Sequence, residues 1–226
     1  MRYRIFPGYG WAFLYGGWER SFSRIFRQRI KRGTTVYDIG ANYGMHTLLY
    51  SRLVGPDGHV FAFEPSPTVF SALKENVELN SLRNVTLVQK AVASNSTEAF
   101  FDVGGSCATG HLTDSSTDGL KVKVTSLDEF VFDDDQLPPN FIKIDVEGAE
   151  SSVLSGAIRV LEAYEPTLVV ELHNPNEDRA VGALLKQLGY AAFRVTDGSV
   201  VKDMTSGWPD PNGIWGAVYC LSTSET

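Results

Sequence analysis

The 226-residue chain reads as an α/β domain: a mostly parallel sheet with helices on both faces and an antiparallel last strand. Three observations predict it. From Thr34 onward, short apolar runs of strand length alternate with stretches whose apolar residues recur at helical spacing, the pattern of a parallel sheet with crossover helices. Glycine- and proline-rich turns separate the runs, Gly55-Pro56-Asp57-Gly58 most clearly. The last two runs, Ala191–Val195 and Ala217–Leu221, have no helical segment between them, so they are expected to pair antiparallel across a loop holding Trp208, Pro209, Pro211 and Gly213.

The elements follow in order. Residues 1–33 read as an extension, with glycines among Trp11, Phe13, Tyr15 and Trp18, then a helix carrying Phe22, Ile25, Phe26, Arg29 and Ile30 and closed by Gly33. The extension is expected to act as a lid or a dimer contact, and residues 34–226 to form the main domain. Val36–Ile39 is a buried strand, Met45–Val54 a helix and His59–Phe63 a second strand. A helix places Val69, Phe70, Leu73 and Val77 on one face, and Val85–Val92 is a third strand. Ala99–Val103 and Lys121–Val124 are short strands flanking Gly104–Gly119, the expected mobile loop; Asp133-Asp134-Asp135 with Pro138-Pro139 is another loop. Phe141–Asp145 is a fourth strand. Val153, Leu154, Ala157, Ile158 and Leu161 mark the next helix, Thr167–Leu172 a fifth strand, and Ala180–Leu188 a helix ended by Gly189.

Composition narrows the function. Hydrophobic residues at 43% and charged residues at 21% exclude a disordered chain. The apolar runs are too short to span a bilayer, and no secretory signal is read at the start. A net charge of −7 argues against a nucleic-acid partner. The cluster Arg20, Arg24, Arg27, Arg29, Lys31 and Arg32 is expected to be a solvated helix face. Cys107 and Cys220 lie far apart and are expected reduced, in a cytoplasmic setting.

In such sheets ligands sit beyond the carboxyl ends of the strands. The first strand ends in Asp38-Ile39-Gly40-Ala41-Asn42-Tyr43-Gly44. Asn42 stands where a dinucleotide turn needs its middle glycine, and Met45 where it needs its third, so a pyrophosphate is disfavoured. Glu64, 20 residues past Gly44, can accept hydrogen bonds from ribose. Asp38 and Glu64 together suit a cationic nucleoside without phosphate, and S-adenosylmethionine (SAM) fits better than NAD or ATP. The fourth strand runs into Asp145-Val146-Glu147-Gly148-Ala149-Glu150, with Asp145 and Glu147 near the reactive end of the ligand. Preference for acidic residues at a helix start accounts for Glu150. Alternation puts Glu171 and His173 on one face at the end of the fifth strand. His46, His59 and His111 carry weaker claims.

These residues resemble the FkbM-type family of SAM-dependent methyltransferases. The resemblance rests on Asp38–Gly44 with His46-Thr47, on Phe63-Glu64-Pro65-Ser66-Pro67, and on Lys143-Ile144-Asp145-Val146-Glu147-Gly148-Ala149-Glu150. Asn80, Asn84–Leu87, Ala91–Ser94, Ser126–Glu129 and Val170–His173 are further similar pieces. The resemblance implies a class I (Rossmann-like) methyltransferase fold with a seven-stranded sheet, and O-methylation of a hydroxyl on a sugar or natural-product intermediate. It implies cofactor contacts at Asp38, Gly40, Asn42, Gly44, Thr47, Glu64, Ser66, Ala91 and Asp145, with SAM becoming S-adenosylhomocysteine (SAH). Trp18-Glu19 resembles an aromatic–Glu pair before the core. Ser126 stands where a threonine is more usual.

His173 is the first choice of base for the acceptor hydroxyl, since its ordinary pKa lies near neutrality, with Asp145 or Glu147 second. No metal is expected; the alternative would place Mg²⁺ on Asp145, Glu147 and Glu171. An NAD-dependent oxidoreductase and a non-catalytic SAM-binding or interaction module are the remaining alternatives.

Overall fold

A computed structural model describes residues 2–3, 17–102, 111–113 and 119–224, leaving out the side chains of 17–19 and 111–113. The side chains of Trp18, Glu19 and His111, together with Trp11, Cys107 and most of Gly104–Gly119, therefore lie outside what is described.

The main sheet contains β1 (Thr35–Ile39), β2 (His59–Phe63), β3 (Val85–Val88), β8 (Phe141–Ile144), β9 (Thr167–Glu171), β10 (Tyr190–Arg194) and β11 (Ala217–Ser222). Their order is β10-β11-β9-β8-β1-β2-β3. All neighbours are parallel except β11, which runs antiparallel to both β9 and β10. β11 enters between strands already laid down, so it runs against its two neighbours and needs no crossover helix.

The strands are apolar on both faces because helices cover both. On one face lie α1 (Gly17–Arg29), α2 (Met45–Val54) and α3 (Pro67–Leu79). Phe22, Ile25, Phe26 and Ile30 pack there against Val36, Tyr50, Val60, Phe141 and Val169, so the helical part of the 1–33 segment is built into the core. Its cations Arg20, Arg24, Arg27 and Arg29 are on the exposed side. On the other face, α4 (Leu127–Phe132), α5 (Glu150–Ser155), α6 (Ile158–Tyr164) and α7 (Pro175–Gln187) cover Tyr37, Ile39, Phe61, Phe63, Ile142 and Ile144. Ser126 caps α4, its Oγ accepting the Glu129 N–H at 3.1 Å.

Two expectations are corrected. Val85–Val92 is not one strand. It breaks at Gln89-Lys90, and β4 (Ala91–Val92) leaves the main sheet to pair with β7 (Leu120–Thr125). With β5 (Glu98–Asp102) and β6 (His111–Thr113), these form a second sheet in the order β4-β7-β5-β6. The helix expected through Val153–Leu161 is two helices, α5 and α6. The chain breaks at Gly156, which abuts the second sheet so closely that a Cβ there would sit 2.2 Å from the Ala93 carbonyl oxygen. No described helix is long and apolar enough to cross a membrane.

Candidate active site

The carboxyl ends of β1, β2, β8 and β9 bring most of the expected residues together. Register fixes the first pair: Asp38 lies opposite Lys143, so their side chains share the sheet face covered by α1 and α2. Asp38 is fully buried. Its Oδ2 accepts the Thr47 hydroxyl at 2.5 Å. Its Oδ1 is buried without a hydrogen-bond partner among the described residues, 3.9 Å from Lys143 Nζ.

Lys143 is the cation the sequence reading passed over. Its Nζ donates to Asp145 Oδ2 at 3.0 Å and to the Gly40 carbonyl at 3.2 Å. Burial works against its charge, but Asp145, Asp38 and Glu171 outweigh burial and hold its pKa above the ordinary lysine value. Burial likewise works against an ionised Asp145, and Lys143 carries that carboxyl below its usual range. The alternation around Lys143 was visible in sequence; its neutralising role was not, because it depends on the neighbouring strand.

The turn after β1 is close-packed. Gly40 has φ +75°, and a Cβ there would lie 1.8 Å from the Asp145 carbonyl oxygen. Gly44 has φ +86° and abuts Leu73 of α3. Asn42 has φ +51°, and its Oδ1 accepts the Tyr43 N–H at 2.8 Å. Glu64, just past β2, accepts the Asn42 N–H at 3.1 Å and the Ser66 N–H at 2.9 Å, one on each carboxylate oxygen. Burial pushes its pKa up to about 7 despite these two bonds. Ala91 opens β4, and its side chain packs into the second sheet with Phe101, Val122 and Val124.

Past β8 the chain turns through Glu147 at φ +55° and Gly148 at φ +102°. His173, two residues past β9, meets this turn. Its Nε2 lies 3.5 Å from Asp145 Oδ1 and 3.6 Å from Glu147 Oε2. Its Nδ1 lies 2.8 Å from Glu150 Oε1. Burial alone would lower the pKa of His173; the Glu150 hydrogen bond, with Asp145 and Glu147, raises it to about 9. The ring is therefore a cation at neutral pH in the ligand-free protein, not the near-neutral imidazole its ordinary pKa suggests. Burial, then Asp145, pushes Glu171 up to about 7. Among the described residues, the Asp145, Glu147 and His173 donor atoms lie within 4.8 Å of one another. Glu171 is not in that group, so the three carboxylates considered for Mg²⁺ do not gather as a set.

This arrangement suits one kind of ligand. Carboxylates outnumber the cations Lys143 and His173, and Asp38 Oδ1 is left unsatisfied. A positively charged nucleoside fits such a crevice, and a pyrophosphate does not. The residues present thus fit SAM.

Comparison with known proteins agrees. The model of the methyltransferase FkbM domain matches residues 38–195. Hexuronic acid methyltransferase AglP of Haloferax volcanii is 29% identical over 169 residues, covering 75% of this chain and 68% of AglP. The crystal structure of methyltransferase FkbM from Methylobacillus flagellatus has a TM-score of 0.53 at 17% identity, covering 83% of this chain and 43% of that one. A SAM-dependent O-methyltransferase from Thermotoga maritima has a TM-score of 0.54 at 12% identity, covering 98% of this chain and 67% of its own. The two structural likenesses establish the class I methyltransferase fold. The family match spans more than half of the chain, so the chain belongs to the FkbM family of SAM-dependent methyltransferases.

Proposed function

We propose that the chain transfers a methyl group from SAM to a hydroxyl of a small acceptor, a sugar or a natural-product intermediate. The observation that carries this reading is the placement of His173 beside Asp145 and Glu147, at the strand ends next to the Asp38–Lys143 pair. The similarity to a hexuronic acid methyltransferase supports a sugar as the acceptor class. SAM supplies a methyl group on a positively charged sulfur.

In this reading Glu64 accepts ribose hydroxyls, held in place by the Asn42 and Ser66 N–H groups. Thr47 fixes the Asp38 carboxylate, and Gly40 and Gly44 keep the turn close to the strand end. Asp38 and Asp145 face the positively charged part of the ligand, and the backbone around Ala91 borders the adenine. His173 takes the acceptor proton through Nε2, and Asp145 or Glu147 is the second choice. With a pKa of about 9, roughly one ring in a hundred is neutral at pH 7. A cationic group placed against Asp145 weakens that carboxylate's hold on the ring and lowers its pKa.

The test incubates the purified chain and SAM with hexoses and hexuronic acids, following SAH release and the gain of one CH₂ by the acceptor. A His173→Asn variant should keep SAH binding and lose turnover. A carboxylate acceptor is already deprotonated and needs no base. Unchanged turnover in His173→Asn would therefore overturn the hydroxyl reading and point to methyl-ester formation.

A further inference from the structure

We infer that Glu150 is a positioning residue: it fixes the His173 ring with the proton on Nδ1 and Nε2 turned to the acceptor. The inference rests on the reading of His173 as the proton acceptor.

Three observations carry it. Glu150 Oε1 lies 2.8 Å from His173 Nδ1 and also accepts the Gly148 N–H at 3.0 Å. Oε1 is the oxygen that accepts the Gly148 N–H, so it meets the ring as an acceptor and the shared proton sits on Nδ1. The Gly148 bond ties the carboxylate to the Glu147-Gly148 turn, so Glu147 and the ring are set by one anchor. Second, Nε2 is left 3.5 and 3.6 Å from Asp145 and Glu147, beyond ordinary hydrogen-bond length, and the side chain is part-exposed to the crevice. Third, Glu150 itself is 0% exposed, and its Oε2 has no hydrogen-bond partner among the described residues. Charge preference at the start of α5 explains an acidic residue but not its burial; an exposed carboxylate would satisfy that preference at no desolvation cost. A buried carboxylate with one oxygen unsatisfied calls for an explanation, and the bond from its other oxygen to the ring supplies one.

Among the described residues, the charged groups that act most strongly on the ring are acidic, with Lys143 behind Asp145. Asp145 comes from the end of β8, Glu147 from the turn, Glu150 from α5, Glu171 from β9 and Asp178 from α7. Asp145, the only one of these bonded to Lys143, and Glu147 stand at Nε2, whereas Glu150 alone bonds Nδ1. Removing Glu150 should therefore change which nitrogen is protonated, which the loss of any other carboxylate would not do.

The test is ¹⁵N NMR of the imidazole nitrogens in the ligand-free protein, with His173 assigned by its loss in His173→Asn. On raising the pH, the wild-type ring should lose its proton from Nε2 and keep it on Nδ1. Glu150→Gln should lower the His173 pKa by about one unit or more, admit the Nε2-protonated form, and leave SAH affinity within about twofold. Its turnover should fall at least about tenfold with the acceptor KM little changed. Loss of the Nδ1 proton in the wild type would overturn the inference even if Glu150→Gln failed to fold. So would an unaltered tautomer and pKa in a folded Glu150→Gln. Full turnover in His173→Asn would instead defeat the base reading, and with it the positioning role, whatever the tautomer.

Discussion

Gly40→Ala probes the close approach between the glycine turn and β8. The added Cβ would stand 1.8 Å from the Asp145 carbonyl oxygen, against an ordinary contact of 3.4 Å or more, so the two strand ends must part by over an ångström. Parting them strains two bonds, the Asp145 N–H to the Ile39 carbonyl at 3.1 Å and Lys143 Nζ to the Gly40 carbonyl at 3.2 Å. Each contributes about 1 kcal/mol. Holding alanine at φ +75° adds about 1–2 kcal/mol, for a total of roughly 3–4 kcal/mol. For a domain of this size that lowers Tm by about 10 °C. Gly33→Ala is the control: Gly33 has φ +78° but nothing within 4 Å of its added Cβ, so it carries the backbone term alone. Differential scanning calorimetry of both variants, with SAH titrations, reads the difference. Gly40→Ala should be the less stable by about 2 kcal/mol, the two bonds alone, and should bind SAH at least about tenfold more weakly. Equal stability of the two variants would refute the packing argument.

Further outcomes follow from the charges. Because His173 accepts a proton only when neutral, kcat/KM should rise with pH toward about 9, the ligand-free value, and turnover per bound substrate should level off at a lower pH; flat profiles from pH 6 to 9 would remove it as the base. SAH affinity should increase as the pH passes about 7, where Glu64 ionises and becomes the better acceptor, and Glu64→Gln should abolish that dependence in a calorimetric titration. Glu64, Glu171 and His173 all have raised pKa values in the folded protein, so the native state holds more protons than the unfolded chain. The urea midpoint of the ligand-free protein should therefore fall as the pH rises from about 4.5 through 7 for the glutamates, and from about 6.5 through 9 for His173. Ser126→Ala removes the α4 cap and should cost about 1 kcal/mol in urea unfolding while leaving SAH affinity unchanged.

Much of the fold was legible because its signals are local. Strand runs buried on both faces and the turns at Gly40–Gly44 and Gly55–Gly58 can be read without knowing what lies beside them. The second sheet was not legible. Val85–Val92 is continuously strand-like, and only the pairing of Ala91 and Val92 with Val124 and Thr125 shows where the chain changes sheets. Gly156, where α5 ends, lies against Ala93 with no room for a side chain, a contact between distant segments. At the site, the strand ends nominated Asp38, Glu64, Asp145 and His173, and the structure joins Asp38, Asp145 and His173 through ion pairs with Lys143 at their centre, with Glu64 close enough to feel the charges of Lys143 and Asp38. The protonation state of His173 was beyond the sequence. It depends on Glu150, which as a string position looks like ordinary helix-start chemistry and in three dimensions is a buried partner of the ring.

The most direct test of the account is calorimetric titration of the purified chain with SAM, SAH, NAD⁺ and ATP. SAM and SAH should bind at one site in the micromolar range, Glu64→Ala should lose both, and NAD⁺ and ATP should give no heat. Binding of NAD⁺, or of none of the four, would contradict a cationic nucleoside site at the ends of these strands.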